Sequence, residues 1–378
     1  IARRLCRDAV WDGDRCNWLS WTIETDAATG ELRPVYRALR SDLFDGMAGV
    51  VLFLARCHKY CDERALNSTL AGAVSQLLNR VKSNEDDLRS GIPDSSNWLR
   101  GRTGIALSLL EAATVLDRSE LRTTAARIAD DLFNIKTHSE PSVGLDPVQC
   151  PVASLGIAAR LATVLDKPDL LNRSVELARC ALKFVTPVAG GFLWQLPTKS
   201  MRWPELSPLS QQALLTGSLA EVAIRSRDTD LLAAAVASLN GLRSTIPPMV
   251  VASSVSDARS GPSVASQLSW QSGVAGVAIP LQFVSQHSEA NTLHNSTTEL
   301  LQNLELQVLT AIAGMTSEPV QDFTLFSGLS GIVEFLLTAS QTTGSTAAQR
   351  VAAAIGDAGI QQIVQADRVW PCGMLDSV

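Results

Sequence analysis

The sequence predicts an all-α protein, an α/α toroid in which an inner ring of helices is enclosed by an outer one. Three observations predict it: a recurring Gly-x-x-Gly phrase, a nearly continuous apolar run after each copy, and amphipathic segments between copies. The phrase appears as DGMAGVVLFLA from Asp45, RGRTGIALSLL from Arg100, SGVAGVAIPL from Ser272 and SGLSGIVEFLL from Ser327. Two weaker copies fill the gap. VASLGIAARLA has Ala153 in the first glycine position, and TGSLAEVAI has Ala220 in the second.

The first positions are residues 46, 101, 153, 217, 273 and 328, spaced 55, 52, 64, 56 and 55 apart. A period near 55 accommodates two helices and two loops. The paired glycines permit a tight turn and the close approach of a helix start to neighbouring backbone. After the first pair come Val50, Val51, Leu52, Phe53 and Leu54, apolar on every side, which predicts a helix buried all round. In the following segment, LNSTLAGAVSQLLNRV, Leu66, Leu70, Val74, Leu77 and Val81 recur at steps of four and three, which predicts a half-buried helix. Closing such pairs in a ring puts the first set inside and the second outside.

Residues 1–378 are therefore expected to form a single domain. The next copy would begin near residue 383, past Val378, so the last repeat is expected to be incomplete. Ile1 is a poor translation start, and the chain is expected to be a piece of a longer polypeptide. The Ser/Gly-rich stretch SSVSDARSGPSVAS, residues 253–266, is expected to be a loop.

Composition narrows the function classes. The net charge is −6, and no basic stripe appears, which argues against a nucleic-acid partner. No apolar run reaches the ~20 residues of a membrane-spanning helix, and the first residues lack a signal-peptide pattern. Seven cysteines at scattered spacing do not form a secreted disulfide framework, so reduced thiols and a cytoplasmic location are expected.

A ring of helices preceded by Gly-x-x-Gly turns resembles the LanC-like lanthionine cyclases. GDRCNWLSW, followed by LRPVYRALRSDLFDGMAGVVLFLA, is similar to the start of the cyclase domain in class II lanthipeptide synthetases, and DRVWPCG resembles their Trp-x-Cys-Gly segment. The resemblance implies a Michael-type addition, in which a peptide cysteine attacks a dehydroalanine or dehydrobutyrine to form a thioether. It also implies a zinc ion held by two cysteines and a histidine, which lowers the thiol pKa.

Carried onto this chain, the implied ligands are absent. The first zinc cysteine of the family falls on Gln271 in SWQSG, and the second cysteine and the histidine fall on Phe326 and Ser327 in FSGLSG. The proton-transfer histidine falls on Thr216. The proton-transfer aspartate falls on Gln149, or on Asp146 with a three-residue shift. Phenylalanine cannot ligate zinc, and Gln and Ser are poor zinc ligands beside Cys and His. No metal and no cofactor are therefore expected.

The first expectation is a cyclase-type domain that has lost its zinc and binds or guides a modified precursor peptide through Gln271, Ser327, Thr216 and Trp270. Some cyclase domains of the wider family lack zinc ligands and are still proposed to guide ring closure, so metal-free thioether formation remains open. The partners expected are the precursor peptide or an attached dehydratase-type region. An inert structural or interaction toroid is the alternative, and an α/α-toroid glycan-processing enzyme ranks last because the turns offer little acid besides Asp45. Cys57, His58 and Cys61 in CHKYC, and Cys150 beside Gln149, are read as packed thiols rather than as a metal or nucleophile site. Trp98 and Trp270, each just before a turn, are read first as packing at the helix start.

Overall fold

The computed structural model describes residues 1–25, 32–61, 63–83, 99, 101–131, 151–196, 206–246, 268–271, 273–287, 291–313 and 328–361. The repeat's first glycines serve as helix N-caps. Gly46 (φ −125°, ψ −173°), Gly101 (−108°, −167°) and Gly328 (−113°, −167°) share one extended conformation. Any residue can adopt that backbone, so the glycine is required by space rather than by dihedral angle. A Cβ on Gly46 would lie 2.5 Å from the Asp42 carbonyl oxygen. The second glycines meet the same limit: a Cβ on Gly49 would lie 2.4 Å from the Leu43 oxygen, and one on Gly276 would lie 2.0 Å from the Trp270 oxygen. In both cases the carbonyl belongs to the residue six positions earlier, so two distant copies build one turn.

That loop also caps its helix. Met47 and Ala48 donate their N–H groups to the Arg40 and Ser41 carbonyls at 2.7 and 3.3 Å, and Asp42 accepts from the Phe44 and Asp45 amides at 3.0 Å each. Two orphan donors of the first turn are thus satisfied by loop carbonyls.

The residues cluster into two units, Ile1–Glu140 with Val148–Arg173, and Pro141–Pro147 with Ser174–Val378. In the first unit, α1 (Ala2–Asp8) is followed by two antiparallel hairpins, β1 (Val10–Asp12) with β2 (Arg15–Asn17) and β3 (Leu19–Thr25) with β4 (Leu32–Ala38). Then come α2 (Met47–His58), α3 (Arg64–Ser83), α4 (Arg102–Leu116), α5 (Ser119–Asp131) and α6 (Leu155–Val164). Their core joins Met47, Val51 and Leu54 of α2 to Leu70 and Leu77 of α3, and to Leu109 of α4. In α3, Leu66, Leu70, Val74 and Leu77 are buried at the predicted spacing. The helix α2 is not buried all round as expected. Its Met47, Val51, Leu54 and Ala55 face α3 and α4, while Phe53 is 36% exposed and Val50 and Leu52 are half-buried.

The hairpins were not anticipated, although Leu19, Trp21 and Ile23 alternate with polar residues as a strand requires. Trp11 of β1 lies over α3, where a Cβ on Gly72 would come within 2.6 Å of its ring.

The third copy of the phrase departs from the others. Ala153 lies in a 3₁₀ turn, Pro151–Ser154, and α6 starts from Ser154 in the right-handed helical region (φ −91°, ψ −11°). With a methyl group in the first glycine position, the chain enters its helix by a different route.

The helix α7 (Pro168–Ala181) spans the division between the units. The second unit contains β5 (Val185–Val188), β6 (Gly191–Trp194), α8 (Pro208–Ser226), α9 (Thr229–Thr245), α10 (Val274–His287), α11 (Asn291–Ala313), α12 (Leu329–Thr343) and α13 (Thr346–Gly359). The fourth copy was misplaced by the sequence reading. Gly217 is not at a turn but inside α8, which begins nine residues earlier behind the N-cap Ser207. Gly217 instead lets α8 approach α10, since a Cβ there would meet the Pro280 oxygen at 2.4 Å. Two further glycines interlock β6 with α9: a Cβ on Gly191 would meet the Ala237 oxygen at 1.9 Å, and one on Gly241 the Phe192 oxygen at 2.1 Å. Among the described residues, no helix is long and apolar enough to cross a membrane.

Candidate functional site

The segment 268–276 and the start of α8 are built as one piece. Leu268 and Ser269 are buried, and the Ser269 carbonyl accepts from the Gly273 and Gly276 amides at 2.9 and 3.3 Å. Gly276 also donates to the Gly273 carbonyl at 3.1 Å. The Gln271 carbonyl accepts from the Ser207 amide at 2.9 Å, which pins the turn to the N-cap of α8. Ser207 then caps its own helix, its Oγ accepting from the Ser210 amide at 3.1 Å and lying 2.9 Å from the Ser210 Oγ. The Ser210 hydroxyl packs on Gly276, where a Cβ would come within 2.4 Å of it.

Trp270 and Gln271 are half-buried at this turn. The Gln271 side-chain amide makes no protein hydrogen bond among the described residues, so its donors and acceptor are available to a ligand. Ser207 and Ser210 were missed by the sequence reading, which placed the fourth turn ten residues too late. The signal was present as Ser207-Pro208, a capping residue followed by proline in the first helical turn.

Thr216 is 1% exposed and fully engaged. Its hydroxyl lies 2.8 Å from the Gln212 carbonyl and 2.7 Å from the Ser238 Oγ, joining α8 to α9. One turn earlier, the Gln212 side chain serves as a strand edge: its Nε2 donates to the Trp194 carbonyl and its Oε1 accepts the Trp194 amide, both at 2.8 Å. Farther along α8, Glu221 pairs with Arg225 at 3.0 Å, and the Arg225 guanidinium sits 4.7 Å above the Phe283 ring of α10. The structure thus brings Gln271 and Trp270 together and keeps Thr216 in the α8–α9 interface. Gln149, Asp146, Phe326 and Ser327, as well as Trp98 and Cys150, lie outside the described residues.

The thiols of the first unit are placed as packing groups. Cys57 sits on α2 and burial raises its pKa, while Cys16 is 2% exposed and burial pushes it up to about 12. Cys61 is not four residues along the same helix as Cys57, because α2 stops at His58. Its Sγ donates to Glu63 at 3.0 Å, and this hydrogen bond raises its pKa. Glu63 in turn is held down to about 2 by Arg3, whose guanidinium donates to it at 2.6–3.2 Å. Raised thiol pKa values keep these groups protonated, the opposite of what a nucleophile needs. Among the described residues, no group of three His, Cys, Asp or Glu side chains is placed to hold a metal ion.

Comparison with known proteins adds a family match over part of the chain and a fold. Residues 45–144 match the family of lanthionine synthetase C-like proteins. None of the curated proteins matches the sequence. Among solved structures, nisin cyclase is similar over 86% of this chain and 82% of its own, at 14% identity and a TM-score of 0.51. The GH76A α-1,6-mannanase from Salegentibacter sp. HEL1_6 aligns over 84% and 87% at 8% identity, with a TM-score of 0.46. A family 76 glycoside hydrolase from a bovine Bacteroides thetaiotaomicron strain aligns over 87% and 71% at 13% identity, with a TM-score of 0.44. The fold is the all-α, α/α toroid that the repeat predicts, and from the first glycine turn to residue 144 the chain is LanC-like in sequence.

Proposed function

We propose that this LanC-like domain binds and guides a modified precursor peptide in lanthipeptide biosynthesis, and that the thioether rings it promotes form without zinc. The observation that carries this reading is Gln271. It stands where the resemblance implies a zinc cysteine, its backbone is locked to Ser207, and its half-buried amide is unengaged. A carboxamide at this position, with a phenyl ring and a hydroxyl at Phe326 and Ser327, does not suit zinc beside the usual thiolate and imidazole donors.

The chemistry then needs only geometry. The peptide thiol adds to the dehydroalanine: a bond forms between sulfur and Cβ, the alkene electron pair moves to Cα, and the thiol proton ends there. The chain's contribution is to hold the two peptide segments in contact, with Gln271 hydrogen-bonding peptide backbone, Trp270 packing on a side chain, and Ser327 adding a hydroxyl. Proximity of this kind replaces a bimolecular encounter. Thr216 supports α8 rather than the peptide, because its hydroxyl is already committed.

The test has two readouts. Elemental analysis after dialysis against a weak chelator is expected to find no zinc; about one zinc per chain would overturn the metal-free reading. A dehydrated precursor peptide incubated with the protein is expected to lose free thiols faster than alone, counted by alkylation and mass spectrometry. An unchanged rate together with no peptide binding would favour the inert toroid, the reading that the committed Thr216 hydroxyl supports.

A further inference from the structure

The hairpin β3–β4 presents one edge that is chemically open and one that is closed. Its register pairs Leu19 with Ala38, Trp21 with Tyr36 and Ile23 with Pro34. The Leu39 amide donates to the Trp18 carbonyl at 2.9 Å, so Trp18 and Leu39 are a hydrogen-bonded pair in the same register. Pairs alternate along an antiparallel ladder. Leu19–Ala38, Trp21–Tyr36 and Ile23–Pro34 are therefore non-hydrogen-bonded pairs, and their N–H and C=O groups point away from the partner strand.

On β4, the outward series contains Pro34, which has no N–H, so that edge is interrupted at its centre. On β3, the outward series is Leu19, Trp21, Ile23 and Thr25, with no proline. Among the described residues, no other strand pairs with this edge. Among the described residues, the Ser20 hydroxyl lies 3.5 Å from the Trp21 carbonyl. The adjoining face is apolar and open: Leu19 is 45% exposed, Trp21 59% and Tyr36 55%, and the two rings pack at 5.1 Å. An isolated two-stranded hairpin is marginal in water.

We propose that the outer edge of β3 is a docking strand for an extended peptide whose alternate residues are apolar. Size selects this occupant over a second copy of the chain. The strand has seven residues, about 23 Å at ~3.3 Å per residue. One strand width of about 4.8 Å beside it covers far less than the ~800 Å² per partner of a stable dimer. It matches six to eight residues of extended peptide, held by backbone hydrogen bonds and by apolar side chains beside Leu19 and Trp21.

The register makes the test specific. In an added antiparallel strand, residues opposite Leu19, Trp21 and Ile23 exchange hydrogen bonds with them, and those opposite Leu19 and Trp21 share the apolar face. The probe is a fluorescein-labelled octapeptide alternating valine and threonine, titrated with the full chain by fluorescence anisotropy. Saturable binding is expected; its absence up to 1 mM overturns the proposal. N-methylation of the valines is expected to weaken binding at least tenfold, and N-methylation of the threonines less than threefold. Equal effects, or the reverse order, would mean that the peptide does not pair with this edge. Trp21→Lys is expected to weaken binding tenfold with an unchanged far-UV circular dichroism spectrum. A dimer in sedimentation that Trp21→Lys dissolves would show that a second copy covers the edge, and would overturn the peptide.

Discussion

The turn that opens α2 and the turn that opens α8 solve one problem with different chemistry. Before α2, Gly46 and Gly49 clear space for the Asp42 and Leu43 carbonyls, and the loop backbone caps the helix. Before α8, Ser207 and Ser210 stand where the glycines would be, and a side-chain hydroxyl does the capping. The first is specified by what is missing from two residues, and the second by what two residues add. The repeat is thus a backbone route with more than one sequence solution.

The largest effect is expected from filling a glycine turn. In Gly276→Ala, the new methyl would lie 2.0 Å from the Trp270 oxygen and 2.4 Å from the Ser210 Oγ. The hydroxyl can rotate, but the carbonyl belongs to a buried turn. We expect a loss of about 3 kcal/mol, at the upper end of overpacking costs, measured by urea unfolding. A loss below 0.5 kcal/mol would mean that the turn yields easily and that the glycine phrase is no packing requirement.

This dependence on carbonyl placement explains what was legible in the sequence. The fold class could be read because Gly46, Gly101 and Gly328, members of a repeat with a period near 55, share one backbone geometry. The fourth turn could not be read from the same phrase, since Gly217 is explained by the Pro280 carbonyl of another helix, a tertiary contact with no local signature. Thr216 inherited that error. Its neighbour in sequence was a glycine of the expected kind, yet its hydroxyl faces Ser238. The turn that carries Gln271 was legible because Gly276 meets a carbonyl six residues earlier, as Gly49 does. The strands β3 and β4 were hidden by a composition that favours helices, although their alternation is visible once residues 19–25 are considered alone.

A second test addresses side-chain capping with charge. Asp228 caps α9, accepting from the Asp230 and Leu231 amides at 3.1 and 3.0 Å, and pairs with Arg179 at 2.6 Å. The Leu231 amide is the main cause of its lowered pKa, against a desolvation that raises it, with Arg179 adding to the lowering. A carboxylate whose folded pKa is depressed contributes stability above the unfolded pKa, near 4, and loses it as pH falls through the folded value. Asp228→Ala is expected to cost about 1.5 kcal/mol at pH 7, a cap plus part of an ion pair, and progressively less as pH falls through the depressed folded value. A cost independent of pH would assign the effect to something other than the charge.

Ser207→Ala separates the two turn types more narrowly. It removes the hydroxyl that accepts the Ser210 amide but leaves Pro208 and the Gln271 contact, which uses the backbone. A loss of about 1 kcal/mol is expected. Ser207→Gly should cost only a few tenths, because glycine holds that place at Gly46, Gly101 and Gly328. A glycine variant as damaged as the alanine variant would show that α8 cannot take the backbone-capped route.

The smallest effect has the opposite sign. Gly356 lies inside α13, exposed, with nothing within 4 Å of an added Cβ. Here glycine clears no carbonyl and only enlarges the entropy lost on folding. Gly356→Ala is expected to stabilise by about 0.8 kcal/mol, the helix-propensity difference between the two residues. The same substitution would thus cost about 3 kcal/mol at Gly276. The two values, measured by the same urea titration, isolate crowding as the cause. If Gly356→Ala also destabilises, then alanine is disfavoured in these helices for a reason other than the neighbouring carbonyl, and the turn geometry loses its explanation.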